Sequence, residues 1–128
     1  MIPNAIEVVT LFVEDIAAAK AFYQRVFAPE IVYDDDVSAV LAFSGAMVNL
    51  LAASEAPPLV EPRPVAPSAA GTGMLLTIRV ASVNAAVKEL EAAGVTLLNG
   101  PIDRPWGRRT AAFADPSGHV WEIAEVIA

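Results

Sequence analysis

The chain has 128 residues, enough for one domain or two small modules sharing a core, and a formal net charge of −7. That balance argues against a nucleic-acid partner, which needs clustered Lys and Arg. The absence of cysteine excludes disulfides, thiolate metal ligands and cysteine nucleophiles.

Hydrophobic residues make up 55% of the chain and the mean hydropathy is +0.52, high values for a soluble protein. Charges, prolines and glycines interrupt the apolar material every few residues, and no run approaches the roughly 20 residues of a membrane span. Met1-Ile2-Pro3-Asn4 shows no basic region followed by an apolar run, so no secretory leader and a cytoplasmic location are expected. An acidic surface attracts cationic ligands, although solubility alone accounts for it as well.

Residues 6–13 are rich in β-branched and aromatic types and predict a strand. Val9, Leu11 and Val13 share one face; Val8, Thr10 and Phe12 share the other, and both are apolar enough to predict cover on both sides. Asp15 is placed to cap a helix over 16–27, in which Ile16, Ala19, Phe22 or Tyr23, and Val26 recur at helical spacing. Pro29 stops it. A strand at 31–33 leads to Asp34-Asp35-Asp36. Three adjacent carboxylates suggest a cation site, but they cannot converge on one ion unaided, so a solvated turn is the expectation. Residues 38–43 and 46–52 pair as a hairpin around Ser44-Gly45.

Between residues 56 and 70 stand Pro57, Pro58, Pro62, Pro64 and Pro67, which exclude a regular helix or a central strand. An extended linker is expected over 56–73, between modules at 1–55 and 74–128. Gly71-Thr72-Gly73 closes it and is too short for a phosphate cradle. The second module predicts a strand at 74–80, then a helix over 83–93 capped by Ser82 and ended by Gly94. Strands follow at 95–98, 108–114 and 119–126. Asp115-Pro116-Ser117-Gly118 has the pattern of a type I turn. At an offset of about 67 residues both halves read strand, helix, three strands, an internal two-fold repeat.

The stretch 100–122 holds both tryptophans and the single histidine, His119. His119 and Glu122 stand at odd spacing and should point to opposite strand faces, so a joint metal site is not expected. No Ser-His-Asp arrangement is suggested by local spacing.

The repeat, together with Leu11-Phe12-Val13-Glu14-Asp15, Ala21-Phe22-Tyr23 through Val26-Phe27, and Phe113-Ala114-Asp115-Pro116-Ser117-Gly118-His119-Val120-Trp121-Glu122, resembles the vicinal oxygen chelate superfamily. That group includes glyoxalase I, extradiol dioxygenases, fosfomycin resistance enzymes and bleomycin resistance proteins. Pro105-Trp106-Gly107-Arg108-Arg109 looks most like the bleomycin-resistance and glyoxalase-like branch. The resemblance implies an α+β fold of two βαβββ modules, each a curled mixed sheet, that make a cleft either within one chain or across a dimer, with a homodimer expected.

It also implies where metal ligands would stand. Carried over one at a time, those positions hold Val8, Asn49, Leu75 and Glu122. Hydrocarbon side chains cannot coordinate, and a catalytic divalent ion generally needs three protein ligands with an open position. No cofactor or metal is therefore expected, and an unpaired Glu122 would need a partner such as Thr77 or Arg79.

Strand parity then predicts a cleft lined by Val8, Thr10, Phe12, Asn49, Leu75, Thr77, Arg79 and Glu122, with Phe43, Trp106 and Phe113 at its border. Trp121 should be core. The expected function is metal-free binding of a small organic ligand, an aromatic or cationic antibiotic, as in bleomycin resistance. The alternatives are a metal-dependent glyoxalase-type lyase, isomerase or dioxygenase, and an accessory domain with a filled cleft. Acid–base catalysis by Glu122 without metal is a further possibility.

Overall fold

The β-branched and aromatic run forms β1, Val8–Val13, in the computed structural model, which describes residues 1–128. Leu11 and Val13 of β1 are fully buried and face the helix that follows, α1 (Ile16–Phe27). Asp15 caps α1 by accepting from the Ala18 N–H at 3.0 Å, as its position predicts. The helix buries Ala19, Phe22 and Tyr23. It ends at Ala28, whose φ of 44° is left-handed, and Pro29 prevents continuation.

The chain then makes β2 (Glu30–Asp34), β3 (Ser38–Phe43) and β4 (Ala46–Ala52). The sheet order is β1-β4-β3-β2, with β1 parallel to β4 and the remaining pairs antiparallel. Val48 and Leu50 of β4, with Ala39 and Leu41 of β3, complete the buried side. The other side of β1 is not covered as expected: Val8 is 37% exposed and Thr10 is exposed. One helix masks one face of a four-stranded sheet, which leaves Val8 and Thr10 on the face that α1 does not cover.

The proline segment differs from the expected extended linker. Pro57–Val60 forms a single-turn helix, α2, between short 3-10 turns at Ala53–Glu55 and Ser68–Ala70. Pro57 and Pro58 sit at the first helical positions, where a missing N–H removes no hydrogen bond and φ is already set. The chain divides after Pro67, within the expected linker, into units Met1–Pro67 and Ser68–Ala128.

The second unit repeats the first: β5 (Leu75–Arg79), α3 (Val83–Ala92), β6 (Leu97–Arg104), β7 (Arg108–Ala114) and β8 (Val120–Val126), in sheet order β5-β8-β7-β6. Again the first strand runs parallel to the last, β5 beside β8. Ser82 caps α3 by accepting from the Ala85 N–H at 3.1 Å. Glu125 of β8 adds a second cap, accepting from the Val83 N–H at 2.8 Å. Val83, Val87 and Leu90 of α3 are buried, as are Trp121 and Ile123 of β8 and Ala111 and Phe113 of β7. The fold is thus α+β, two βαβββ modules each with a four-stranded mixed sheet.

One strand is twice its expected length. β6 continues through Gly100 and Pro101 to Arg104 instead of stopping at 98. It is the edge strand, where proline forfeits no ladder bond, and its register shifts on both sides of Asn99. Gly100 has φ +91°, and a Cβ there would lie 2.7 Å from the Ala111 Cα, so only glycine fits.

Candidate ligand-binding face

On the second sheet, alternation sends odd and even residues of β8 to opposite sides. Trp121, Ile123 and Glu125 face α3; Val120, Glu122 and Ala124 face away from it. Thr77 of β5 and Ala112 of β7 flank Glu122 in register. The Thr77 hydroxyl donates to Glu122 Oε1 at 3.0 Å. Of the two partners expected for Glu122, Thr77 makes the bond, and Arg79 stands two residues further along the same strand face. Thr77 and Glu122 are thus in contact, and Arg79 shares their side of the sheet.

Trp106 lies at the tip of the hairpin joining β6 to β7 and is 68% exposed. The turn is closed by the Gly107 N–H donating to the Arg104 carbonyl at 3.1 Å. An exposed indole on a tight turn offers a ring face for stacking. Its neighbour Arg104 points its Nε at Thr110 Oγ1, 3.0 Å away, and its Nη2 at Asn99 Oδ1, 3.4 Å away. Thr110 shares the Glu122 side of the sheet, so Arg104 does as well.

Two predicted border residues belong elsewhere. Phe113 is fully buried beside Trp121, its partner across β8, and faces α3. Phe43 packs edge-on against Phe27 of α1 with ring centroids 5.1 Å apart. Each is an aromatic in a strand whose register puts it on the helix side; the sequence motif around Phe113 gives no sign of which side it takes. In the first sheet Phe12 and Asn49 do lie on the side away from α1, with Asn49 paired to Thr10 in register. Asn49 Oδ1 is buried without a hydrogen-bond partner.

The acidic turn is local structure, as expected. Asp35 accepts from the N–H groups of Val37 and Ser38, the Ser38 hydroxyl and the Tyr33 hydroxyl. These bonds, the Val37 N–H first, hold its carboxyl at about 2, below the ordinary 3.8. Asp34 pairs with Lys20. At the other hairpin, Asp115 is buried and accepts from the N–H groups of Ser117 and His119, both at 2.9 Å. On the α3 side, Arg109 donates to Asp103 at 2.7 Å, which lowers the Asp103 pKa and raises that of Arg109.

The sequence profile of the Glyoxalase/Bleomycin resistance protein/Dioxygenase superfamily matches residues 5–123. The chain belongs to this superfamily. An uncharacterized protein of Mycobacterium tuberculosis is 31% identical over 124 residues, covering 91% of this chain and 72% of the relative. A glyoxalase-related enzyme from Fulvimarina pelagi superposes with a TM-score of 0.83 at 26% identity, over 96% of this chain and 88% of that one. A lactoylglutathione lyase from Agrobacterium tumefaciens shares the fold, with a TM-score of 0.75 at 23% identity, over 96% and 94% of the two chains.

The superfamily's metal chemistry sets a test for the residues at the implied ligand positions. In the first sheet these are Val8 and Asn49; in the second, Leu75 and Glu122. Val8 and Leu75 offer no donor atom, Asn49 a weak one, and Glu122 already accepts from Thr77. No group of three His, Asp or Glu side chains is arranged to hold an ion. The donor set does not fit a catalytic divalent metal.

Proposed function

We propose that the chain binds a small organic molecule without a metal, in the manner of a resistance protein that sequesters a drug. The observation that carries this reading is the replacement of ligand positions by exposed hydrocarbon, Val8 at 37% and Leu75 at 49% exposure. Apolar surface beside a few fixed polar groups suits an organic ligand. Thr77 and Glu122 supply polar contacts on the second sheet, and Trp106 supplies a stacking surface. The proposal includes a homodimer. Ile31, Val32 and Tyr33 on edge strand β2 are each about half exposed, at 48%, 51% and 54%, and such a strip favours association.

The test is calorimetric titration of aromatic antibiotics into the wild type and Trp106→Ala. At least one aromatic compound should bind saturably, and the variant should bind it about two- to tenfold more weakly, as loss of an aromatic pair worth about 0.5–1.5 kcal/mol implies. Unchanged affinity in the variant would remove the stacking role. Binding that appears only with added divalent metal would favour a glyoxalase-type enzyme instead.

A further inference from the structure

Three arginines reach the same side of the second sheet. Arg79 on β5 stands in register with Ala124 of β8, and Ala124 with Thr110 of β7. Arg108 is two residues before Thr110 and so shares its side. Arg104 of β6 is paired directly with Arg108, and its hydrogen bond to Thr110 Oγ1 fixes its guanidinium on that side.

The acids sort the other way. Glu125 turns toward α3 and caps it; Asp103 pairs with Arg109 on that same side. Along the four strands, Glu122 is the one carboxylate that shares the side of the three arginines. Three cations against one anion leave this sheet face at +2 in a chain whose net charge is −7.

Structural pairing does not account for the three arginines. Arg79 and Arg108 form no salt bridge, and Arg104 is held by two neutral oxygens, from Thr110 and Asn99. Like charges directly opposite on neighbouring strands destabilise a sheet, and Arg104 opposite Arg108 is such a pair. A chain with 15 acidic residues has carboxylates to spare for neutralising them. A ligand oxyanion removes the repulsion, and guanidinium forks bind carboxylate and phosphate through two parallel N–H···O bonds. Neighbouring strands lie about 4.8 Å apart, so Arg79 and Arg108, two strands apart, can close on one group. Trp106 stands between Arg104 and Arg108 in the sequence of the hairpin turn and is exposed.

We infer that this face of the second sheet is an anion site, formed by Arg79, Arg104 and Arg108, for an organic ligand carrying a carboxylate or phosphate. The inference rests on the ligand-binding reading and fixes the charge of the ligand. The local charge overrides the cationic preference suggested by the net charge, because contact electrostatics act at a few ångströms while distant surface charges are screened beyond about 8–10 Å.

Phenyl phosphate, benzoate and benzyltrimethylammonium are titrated by calorimetry into the wild type, Arg79→Gln, Arg108→Gln and Arg108→Lys, at low and physiological salt, with circular dichroism as the check on folding. The two oxyanions bind and the ammonium compound does not. Affinity drops at least tenfold in each Gln variant, drops less in Arg108→Lys, and weakens with salt. Whichever of phosphate and carboxylate binds more tightly names the head group. Oxyanion binding that survives both Gln substitutions overturns the inference. Binding of the ammonium compound without the oxyanions also overturns it and leaves the ligand-binding reading standing. If none of the three binds, the anion site falls, and the antibiotic titration decides the ligand-binding reading separately.

Discussion

Asp35 gathers four hydrogen bonds from residues within three positions of it, and they all favour the ionised carboxylate. Its folded pKa of about 2 lies below the ordinary 3.8. The stabilisation is therefore complete above about pH 4 and is lost as pH falls toward 2. Asp35→Asn should melt at a lower temperature than the wild type at pH 7, and the gap should close on acidification to pH 2. A gap that stays constant over that range would show that the carboxylate's charge is not what holds the turn. The three-Asp run was readable as a turn from sequence alone, because adjacent carboxylates repel and favour turns. Which of the three organises it was not, since that depends on the geometry of Val37 and Ser38. The same holds for Glu122: its need for a partner followed from burial of a charge, and both Thr77 and Arg79 had the right strand parity. Only the register, Thr77 beside Glu122, selects between them.

At the scale of elements, helices and hairpins announce themselves by local chemistry. Asp15 and Ser82 cap where their spacing predicts, and β3, β4 and β7 span the predicted residues. Strand β6 does not announce itself. Gly100-Pro101 reads locally as a break, yet an edge strand tolerates both residues when the register shifts around them. Because β6 looked short, Arg104 had no strand face to be assigned to, and the cationic cluster was invisible although the Pro-Trp-Gly-Arg-Arg segment was in view. The parity of β7 alone would have placed Arg108 beside Thr110. The extended strand also makes a prediction. Gly100→Ala should destabilise the protein by about 1–3 kcal/mol or more in chemical denaturation, because φ +91° and the backbone of Thr110 and Ala111 both exclude a Cβ. Wild-type stability in that variant would mean that β6 does not approach β7 so closely.

At the scale of the whole molecule, the repeat is the feature most legible in the sequence. Two units with strand orders β1-β4-β3-β2 and β5-β8-β7-β6 follow from two copies of one pattern of apolar alternation, capping residues and turns. The α+β class, the superfamily and the faces buried against the helices follow from it. The identity of side chains on the faces away from the helices follows only in part, because a one-residue error in register reverses a strand. Phe43 and Phe113 illustrate that limit: both are aromatic, both stand near the predicted site, and both belong to the helix side. Val8 and Leu75 have the opposite lesson. Their apolar character reads as core in isolation, but they are exposed where the superfamily resemblance places metal ligands.

The proposed metal-free ligand binding has one immediate consequence, that the purified protein retains no metal. The protein is exposed in turn to zinc, nickel, manganese and iron, freed of loosely held ions by gel filtration, and measured by elemental analysis. Far less than one ion per chain is expected for every metal, with the same values for Glu122→Ala. Near-stoichiometric retention of any one of them, lost in Glu122→Ala, would contradict metal-free binding.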